Sequence, residues 1–351
     1  LAGVCVHNAV SRADKGGFGE QGVIWVLDDP RAGIATQAIG IAERLGVPFR
    51  RIPLKWNWKA HVAGLVPAGS LIGVAPTAGA RASGDHGGLE VPADEAPKLV
   101  ISAGRRSAPV ALWLRSRYGC RLVHCMSPGL GGLFRKDLFD LLVIPAHDRP
   151  PSAANVVPVL GAAHRVSPVS LAQAELAWRE RLAHLPHPRI ALLVGGPVRG
   201  VGMAPALAHD LGRAVAQLAV GLRGSVLATT SRRTGGEAAD ALAVGLGPAM
   251  HVLYRWGEPD ENPYMGFLAT ADAVVVTSDS VSMISEACAT EAAVYVALPE
   301  QAGGRHRAFI QSLVQAGQVR PFVHSLAPWP RMPLDEAGRI AEEIRRRFVS
   351  V

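Results

Sequence analysis

Residues 271–300, ADAVVVTSDSVSMISEACATEAAVYVALPE, constrain the fold more than any other stretch of the chain. The apolar run Ala273 to Val276, bounded by small polar residues, reads as a buried strand, and Thr277, Ser278, Asp279 and Ser280 read as a tight polar turn. A helix follows over Val281 to Ala289, where Ser282 and Glu286, four residues apart, share one face. A second apolar run, Val294 to Leu298, ends at Pro299 and reads as the next parallel strand. The turn then lies at the carboxyl end of a strand, where open α/β sheets take ligands, and the helix start adds free N–H groups and the positive end of its dipole. This is an anion site in which the turn holds a phosphate and Glu286 accepts hydrogen bonds from a ribose. The plainer alternative is that Ser and Asp only cap the helix and Glu286 is a solvated helix residue.

The same rhythm runs through the rest of the chain. Gly22 to Leu27 is an apolar strand, followed by Asp28, Asp29, Pro30, Arg31, Ala32 and Gly33 and a helical pattern from Ile34 to Leu45. The Asp pair and Arg31 serve either as acid/base and acceptor-binding groups or, for Asp29 before Pro30, as a helix cap. Gln37, in the first turns of that helix, points toward the same crevice. Arg51 to Trp58 is aromatic and basic: Trp56 and Trp58 beside Lys55 and Lys59 suit a membrane-facing patch, a sugar-stacking patch, or simple packing under a loop. Residues 76–97, rich in Gly, Ala, Asp and Pro, read as a mobile loop.

Leu99 to Ala103 is a strand leading into Gly104, Arg105, Arg106 and Ser107 and a helix to Arg117, a second candidate anion site. Two more strands, Arg121 to Met126 and Leu138 to Ile144, precede Pro145, Ala146, His147 and Asp148. His147 reads as a general base oriented by Asp148, or as an ordinary loop histidine. A helix from Leu171 to Leu182 and a linker, Leu185 to Pro188, lead into a second domain. Its strands, Ile190 to Val194, Gly224 to Thr230 and His251 to Trp256, leave through Gly195 and Gly196, through Ser231, Arg232, Arg233 and Thr234, and through Asn262, Pro263 and Tyr264. With the Ser-Asp-Ser turn, four polar exits fall on one edge of the inferred sheet, which points to a nucleotide or phosphate crevice.

Composition narrows the partners. Over 351 residues the formal charge is +7, with the basic residues scattered rather than clustered. That favours a phosphorylated substrate, or peripheral contact with an anionic inner-membrane face, over nucleic acid. Four cysteines, Cys5, Cys120, Cys125 and Cys288, lack CxxC spacing, so reduced thiols and a cytoplasmic location are expected. Residues 1–21 read as a disordered leader without signal-peptide character. The chain has no GxGxxG, GxxxxGKS or HExxH, which disfavours a dinucleotide dehydrogenase, a P-loop enzyme and a zinc hydrolase of those kinds.

WVLDDPRAG with Gln37, LVISAGRR, IPAHD, LLVGGP, TTSRRT, ENPY, VVVTSDSVSMISEA and VYV occur in that order and cover nearly everything after Gly22. In these motifs the chain resembles the bacterial branch of the mitochondrial-fission "elongated mitochondria" family. Where that family has Gly-Lys-Pro before the last strand, this chain has Glu291, Ala292 and Ala293. The resemblance implies an α/β fold of GT-B type, two Rossmann-like domains with parallel sheets facing across a cleft. The N-terminal domain (22–184) would take the acceptor, with Arg31, Gln37, Gly104, Arg105 and Arg106 on that side. The C-terminal domain (189–330) would hold a nucleotide-sugar, and a helix within 333–351 would cross back to the first domain. The strand–SxS–helix–Glu arrangement also resembles the donor site of the lipid-linked muropeptide GlcNAc transferase. That implies backbone contacts to diphosphate at Ser280 and Ser282 and a ribose on Glu286, with Met283 also on the nucleotide side.

The function expected is transfer of a sugar from a nucleotide-sugar to an envelope glycan or glycolipid acceptor, without metal or cofactor. Gly195 and Gly196 would admit the donor, Ser231, Arg232, Arg233 and Thr234 would neutralise the leaving diphosphate, and Asp28, Asp29 or His147 would supply the base. A nucleotide-sugar epimerase and a non-enzymatic adaptor on the same scaffold are the alternatives.

Overall fold

The computed structural model describes residues 23–63, 69–76, 88–92, 95–129, 133, 135–196, 203–298, 300, 302–323 and 325–348. The expected leader, Cys5 and much of the 76–97 loop lie outside them. Two sheets organise the chain, and every strand pairing in both is parallel. The first contains β1 (Ile24–Asp28), β2 (Phe49–Pro53), β3 (Leu99–Ala103), β4 (Arg121–Cys125), β5 (Leu141–Pro145) and β6 (Val156–Val159), in the order β2-β1-β3-β4-β5-β6. The second contains β7 (Arg189–Val194), β8 (Ser225–Thr230), β9 (His251–Tyr254), β10 (Ala273–Thr277), β11 (Ala293–Ala297) and β12 (Arg320–Pro321), in the order β12-β11-β10-β7-β8-β9.

The interior strands are apolar on both faces because helices cover both. In the first sheet Ile24, Val26, Ile101 and Val123 face one cluster and Trp25, Leu27, Val100 and Leu122 the other. In the second, Ile190, Leu192 and Val275 lie opposite Ala191, Leu193, Val274 and Val276. This two-sided burial is why short unbroken apolar runs announce β1, β3, β7, β8, β10 and β11. The edges read differently. β2 (FRRIP) is largely exposed and β6 (VVPV) carries a proline, both features of edge strands, and no strand is expected from either sequence. The strand expected over Leu138 to Ile144 is displaced: Lys136–Leu138 is a single 3₁₀ turn and the strand begins at Leu141.

Among the helices are α1 (Ala32–Leu45), α2 (Ala60–Ala63), α3 (Ala108–Tyr118), α4 (Pro168–Trp178), α5 (Pro205–Gly221), α6 (Gly236–Leu246), α7 (Tyr264–Thr270), α8 (Val281–Cys288), α9 (Gly304–Gln315) and α10 (Glu336–Phe348). α4, capped by the reciprocal pair Ser167 and Ser170, begins at Pro168, three residues before the expected start, and ends four before the expected end. It packs away from the first sheet. Trp178, Leu182 and Leu185 cluster with Leu227 and Phe267 of the second, and Gly266 must lack a side chain because a Cβ there would lie 2.3 Å from the Trp178 ring. A boundary at residue 184 therefore divides α4 from the body on which it packs.

α10 returns to the first sheet, with Ala337, Ile340, Ala341 and Ile344 buried against Ala38, Ile41, Ala42 and Leu45 of α1. Glu336 at its start accepts from Leu160 N at 2.6 Å. Arg331, ahead of α10, caps the end of α8 by donating to Cys288 O at 2.8 Å and Ala292 O at 2.6 Å. No helix among the described residues is long and apolar enough to cross a membrane.

Candidate functional site

The carboxyl ends of the two sheets face one another across a cleft with a cavity of about 400 Å³. From the first sheet's side it is lined by Arg31, Gly33, Ile34 and Gln37 of α1 and its entry, Met126 after β4, and Pro145 and His147 after β5. From the second come Arg233 after β8, Asp279, Ser280, Val281 and Ser282 at the start of α8, and Arg305 and His306 at the start of α9. Three helix N-termini thus open into one space, where their first N–H groups lack intrahelical acceptors. The apposition is close: a Cβ on Gly33 would lie 2.9 Å from Ser282 Oγ.

The focal turn is internally organised. Gly195 N donates to Thr277 Oγ1 at 2.8 Å and Gly196 N to Asp279 Oδ2 at 2.8 Å. Ser278 Oγ donates to Leu298 O at 2.6 Å, and Ser280 caps α8 by accepting from Met283 N. Thr234 Oγ1 accepts from Ser231 N and lies 2.7 Å from Gly195 O, locking the two exits together. Arg233 reaches Gly196 O at 2.6 Å and Asp279 at 3.3 Å. The bare side of each glycine is filled by protein: a Cβ on Gly195 would meet Asp279 Oδ2 at 2.1 Å, and one on Gly196 would meet Arg233 O at 2.0 Å. The glycines are thus required by the Asp279 and Arg233 packing, and the backbone approach expected for a donor at Gly195 and Gly196 is taken by those groups.

Ser282 lines the cleft, whereas Glu286, one turn deeper on α8, does not. The carboxylate of this half-buried residue accepts from the Tyr264 hydroxyl at 2.5 Å. Burial pushes Glu286 up to about 7, against the lowering effect of the Tyr264 hydrogen bond. Asn262 lies exposed at the start of α7, its Oδ1 accepting from Tyr264 N. Arg232 is exposed and outside the cleft lining.

On the first-sheet side the Asp pair is engaged elsewhere. Asp29 is buried and accepts from Arg31 N and Nε, Arg31 Nη2 and Trp56 Nε1 at 2.7–3.0 Å. Burial opposes ionisation, but these bonds prevail and hold its carboxyl below the usual range. Asp28 faces Arg51 at 2.6 Å. Neither carboxylate lines the cleft. Gln37 does reach it, held by Gly33 O at 3.1 Å. Gly104, at φ +84°, supports Ile34 from below. Arg106 meets His61 at 3.3 Å and Arg105 is exposed; neither lines the cleft.

His147 is the titratable group best placed. Its side chain is 5% exposed, Nδ1 has no hydrogen-bond partner, and Nε2 lies 3.6 Å from Asp148. Its ring packs on Phe309 of α9 at 5.3 Å, and Asp148 is paired with Arg305 across the cleft. Burial lowers the imidazole's pKa, opposed by Asp148 and assisted by Arg305 and His306. The expected link between His147 and Asp148 is therefore a longer contact than a hydrogen bond, and the second sheet's α9 holds both.

Arg305, His306, Met126 and Ala162 line the cleft and were not among the sequence candidates. α9 did carry a signal: Gly303 and Gly304 precede Phe309, Ile310 and Leu313, buried at helical spacing. Met126 carries none, since its φ of +74° is set by the strand exit. Among the described residues no group of three His, Cys, Asp or Glu side chains suits a metal ion. Cys120, Cys125 and Cys288 are free and buried.

Two facing, all-parallel six-stranded sheets with a cleft at their carboxyl ends and a final helix packed on the first body define an α/β protein of the GT-B type. Within that class the chain belongs to the mitochondrial fission ELM1 family, whose sequence profile matches residues 32–348. The mitochondrial fission protein ELM1 of Arabidopsis thaliana is 30% identical over 285 residues, 73% of this chain and 65% of that protein, so the match spans just under two thirds of its length. An uncharacterized protein, RP120, of Rickettsia prowazekii (strain Madrid E) is 25% identical over 366 residues, 92% of this chain and 97% of the relative. Among solved structures, the UDP-GlcNAc 2-epimerase of Methanocaldococcus jannaschii is similar in fold, with a TM-score of 0.52 and 14% identity over 92% of this chain and 99% of that one.

Proposed function

We propose that this protein is a glycosyltransferase that binds a nucleotide-sugar in the cleft and transfers the sugar to a hydroxyl of a glycan or glycolipid of the cell envelope. The observation that carries the reading is the convergence of three helix N-termini with Arg31 and Arg233 on one cavity, an arrangement suited to a diphosphate. The donor's diphosphate would draw Arg233 from Asp279 and lie against Ser280 to Ser282. The ribose would extend toward Glu286 by replacing the Tyr264 hydroxyl.

In the reaction the acceptor oxygen bonds to the sugar's anomeric carbon as the bond from that carbon to the diphosphate breaks. The acceptor's proton passes to His147 Nδ1, which is buried, unpartnered and kept neutral by its lowered pKa. The departing negative charge is met by helix dipoles and guanidinium groups, so the reading needs no divalent ion.

Thermal unfolding with UDP, GDP, CMP and ADP and their common sugars tests it, with Ser282→Trp as the cleft-filling control. Ligand at about a hundred times its Kd stabilises by roughly 2.7 kcal/mol, so one nucleotide should raise the melting temperature of the wild type and not of the variant. No shift with any nucleotide refutes the transferase. With a donor in hand, turnover without acceptor would favour an epimerase instead.

A further inference from the structure

Beside the cleft, on the far side of the Asp148–Arg305 pair, lies a second recess of about 350 Å³. Leu133, Ile144, Pro150 and Pro151 contribute its apolar lining, Ser127 a hydroxyl, Arg149 and Arg305 its cations, and Asp148, paired with Arg305, a carboxylate. Arg305 lines both spaces, so the recess and the cleft lie on either side of one shared side chain.

Arg149 is held there in the left-handed region, at φ +51° and ψ +63°. A residue with a side chain rarely adopts that conformation, and glycine would adopt it freely. Met126, at φ +74°, borders the cleft in the same region. Strained backbone of this kind gathers at functional sites. Arg149 is exposed and has no ion-pair partner among the described residues. The chain thus keeps a guanidinium at a position where the backbone favours glycine, beside a second guanidinium held by an exchangeable carboxylate.

We propose that this recess is the acceptor subsite and that it recognises a phosphate monoester, with Arg149 and Arg305 as its anion ligands and the apolar lining carrying the adjoining glyceryl or alkyl portion. Two guanidinium forks match a dianion in charge and geometry. As the phosphate engages Arg305, Asp148 is released from that pair and turns to His147, whose Nε2 it already approaches at 3.6 Å. Acceptor binding then orients the base that takes the acceptor's own proton. The word "acceptor" rests on the transferase reading; the phosphate site does not.

The test is calorimetric titration of the full chain with glycerol 3-phosphate, alone and saturated with UDP, for wild type, Arg149→Gln and Arg149→Gly. Glycerol 3-phosphate is expected to bind in both states of the wild type, about tenfold or more weaker in both variants, with the UDP isotherm unchanged. Arg149→Gly relieves the left-handed residue, so it should unfold at no lower temperature than wild type and still lose the phosphate. Competition between UDP and glycerol 3-phosphate, equal binding by the variants, or no binding at all overturns the subsite. Phosphate binding without UDP binding would refute the donor site and leave this one standing. Co-sedimentation with phosphatidylcholine vesicles, with and without phosphatidic acid, separates the sources: retention through Arg149 identifies a lipid headgroup, and its absence beside glycerol 3-phosphate binding identifies a soluble phosphate.

Discussion

Replacing Glu286 by glutamine isolates the carboxylate that, among the described residues, the fold holds above its ordinary pKa. The glutamine carbonyl still accepts from the Tyr264 hydroxyl, so the variant removes the titration and keeps the hydrogen bond. Burial raises Glu286 from 4.5 to about 7. The folded chain therefore holds a proton that the unfolded chain releases between those values. The resulting stabilisation is complete below about pH 4.5 and is lost as pH rises through about 7. An interval of about two and a half pH units at 1.36 kcal/mol each sets a ceiling of roughly 3 kcal/mol. Solvent reaches part of the Glu286 residue and screens its charge, and about 1–2 kcal/mol is the expected effect.

Urea unfolding of both proteins at about pH 5 and about pH 8.5 reads the difference, in which the histidines common to both cancel. At the acid end the two should be nearly equal; at the alkaline end Glu286→Gln should be the more stable. A gap that does not change with pH, or that favours wild type at high pH, refutes the reasoning.

Arg331→Met leaves the carbonyls of Thr290 and Ala292, just beyond α8, without the Arg331 donor, while Cys288 O keeps Leu334 N, and should cost roughly 3 kcal/mol in denaturant unfolding. Gly195→Ala forces a methyl to within 2.1 Å of Asp279 Oδ2, so about 1–3 kcal/mol of stability should be lost and nucleotide binding weakened together. Phe309→Ala empties a fully buried site under the His147 ring, which should cost about 3–5 kcal/mol, and the His147 ring resonance should move in proton NMR spectra of the folded variant.

Which parts of this molecule were legible depends on whether one segment determines them. β10, the turn and α8 were readable because burial on both faces, the polar exit and the helical spacing are all written within thirty residues. β2 and β6 were not, because an edge strand keeps charge or proline and so lacks the apolar run. The position of α4 was illegible for another reason. Its sequence continues from the first body, and only the space above Gly266, filled by the Trp178 ring, records that it docks on the second.

The same distinction governs the site. A residue's type can be read, but what its polar atoms are already bonded to cannot. Asp28 and Asp29 look like bases in sequence and are tied to Arg51, Arg31 and Trp56 in space. Gly195 and Gly196 look like room for a ligand and are filled by Asp279 and Arg233. His147, by pattern either a general base or an ordinary loop histidine, is buried with a free nitrogen, because Phe309, over 160 residues further along, closes over its ring. The buried, unpartnered nitrogen of His147 is thus assembled by contact between the two bodies, and a variant that weakens that contact should act on the His147 ring before it acts on either sheet.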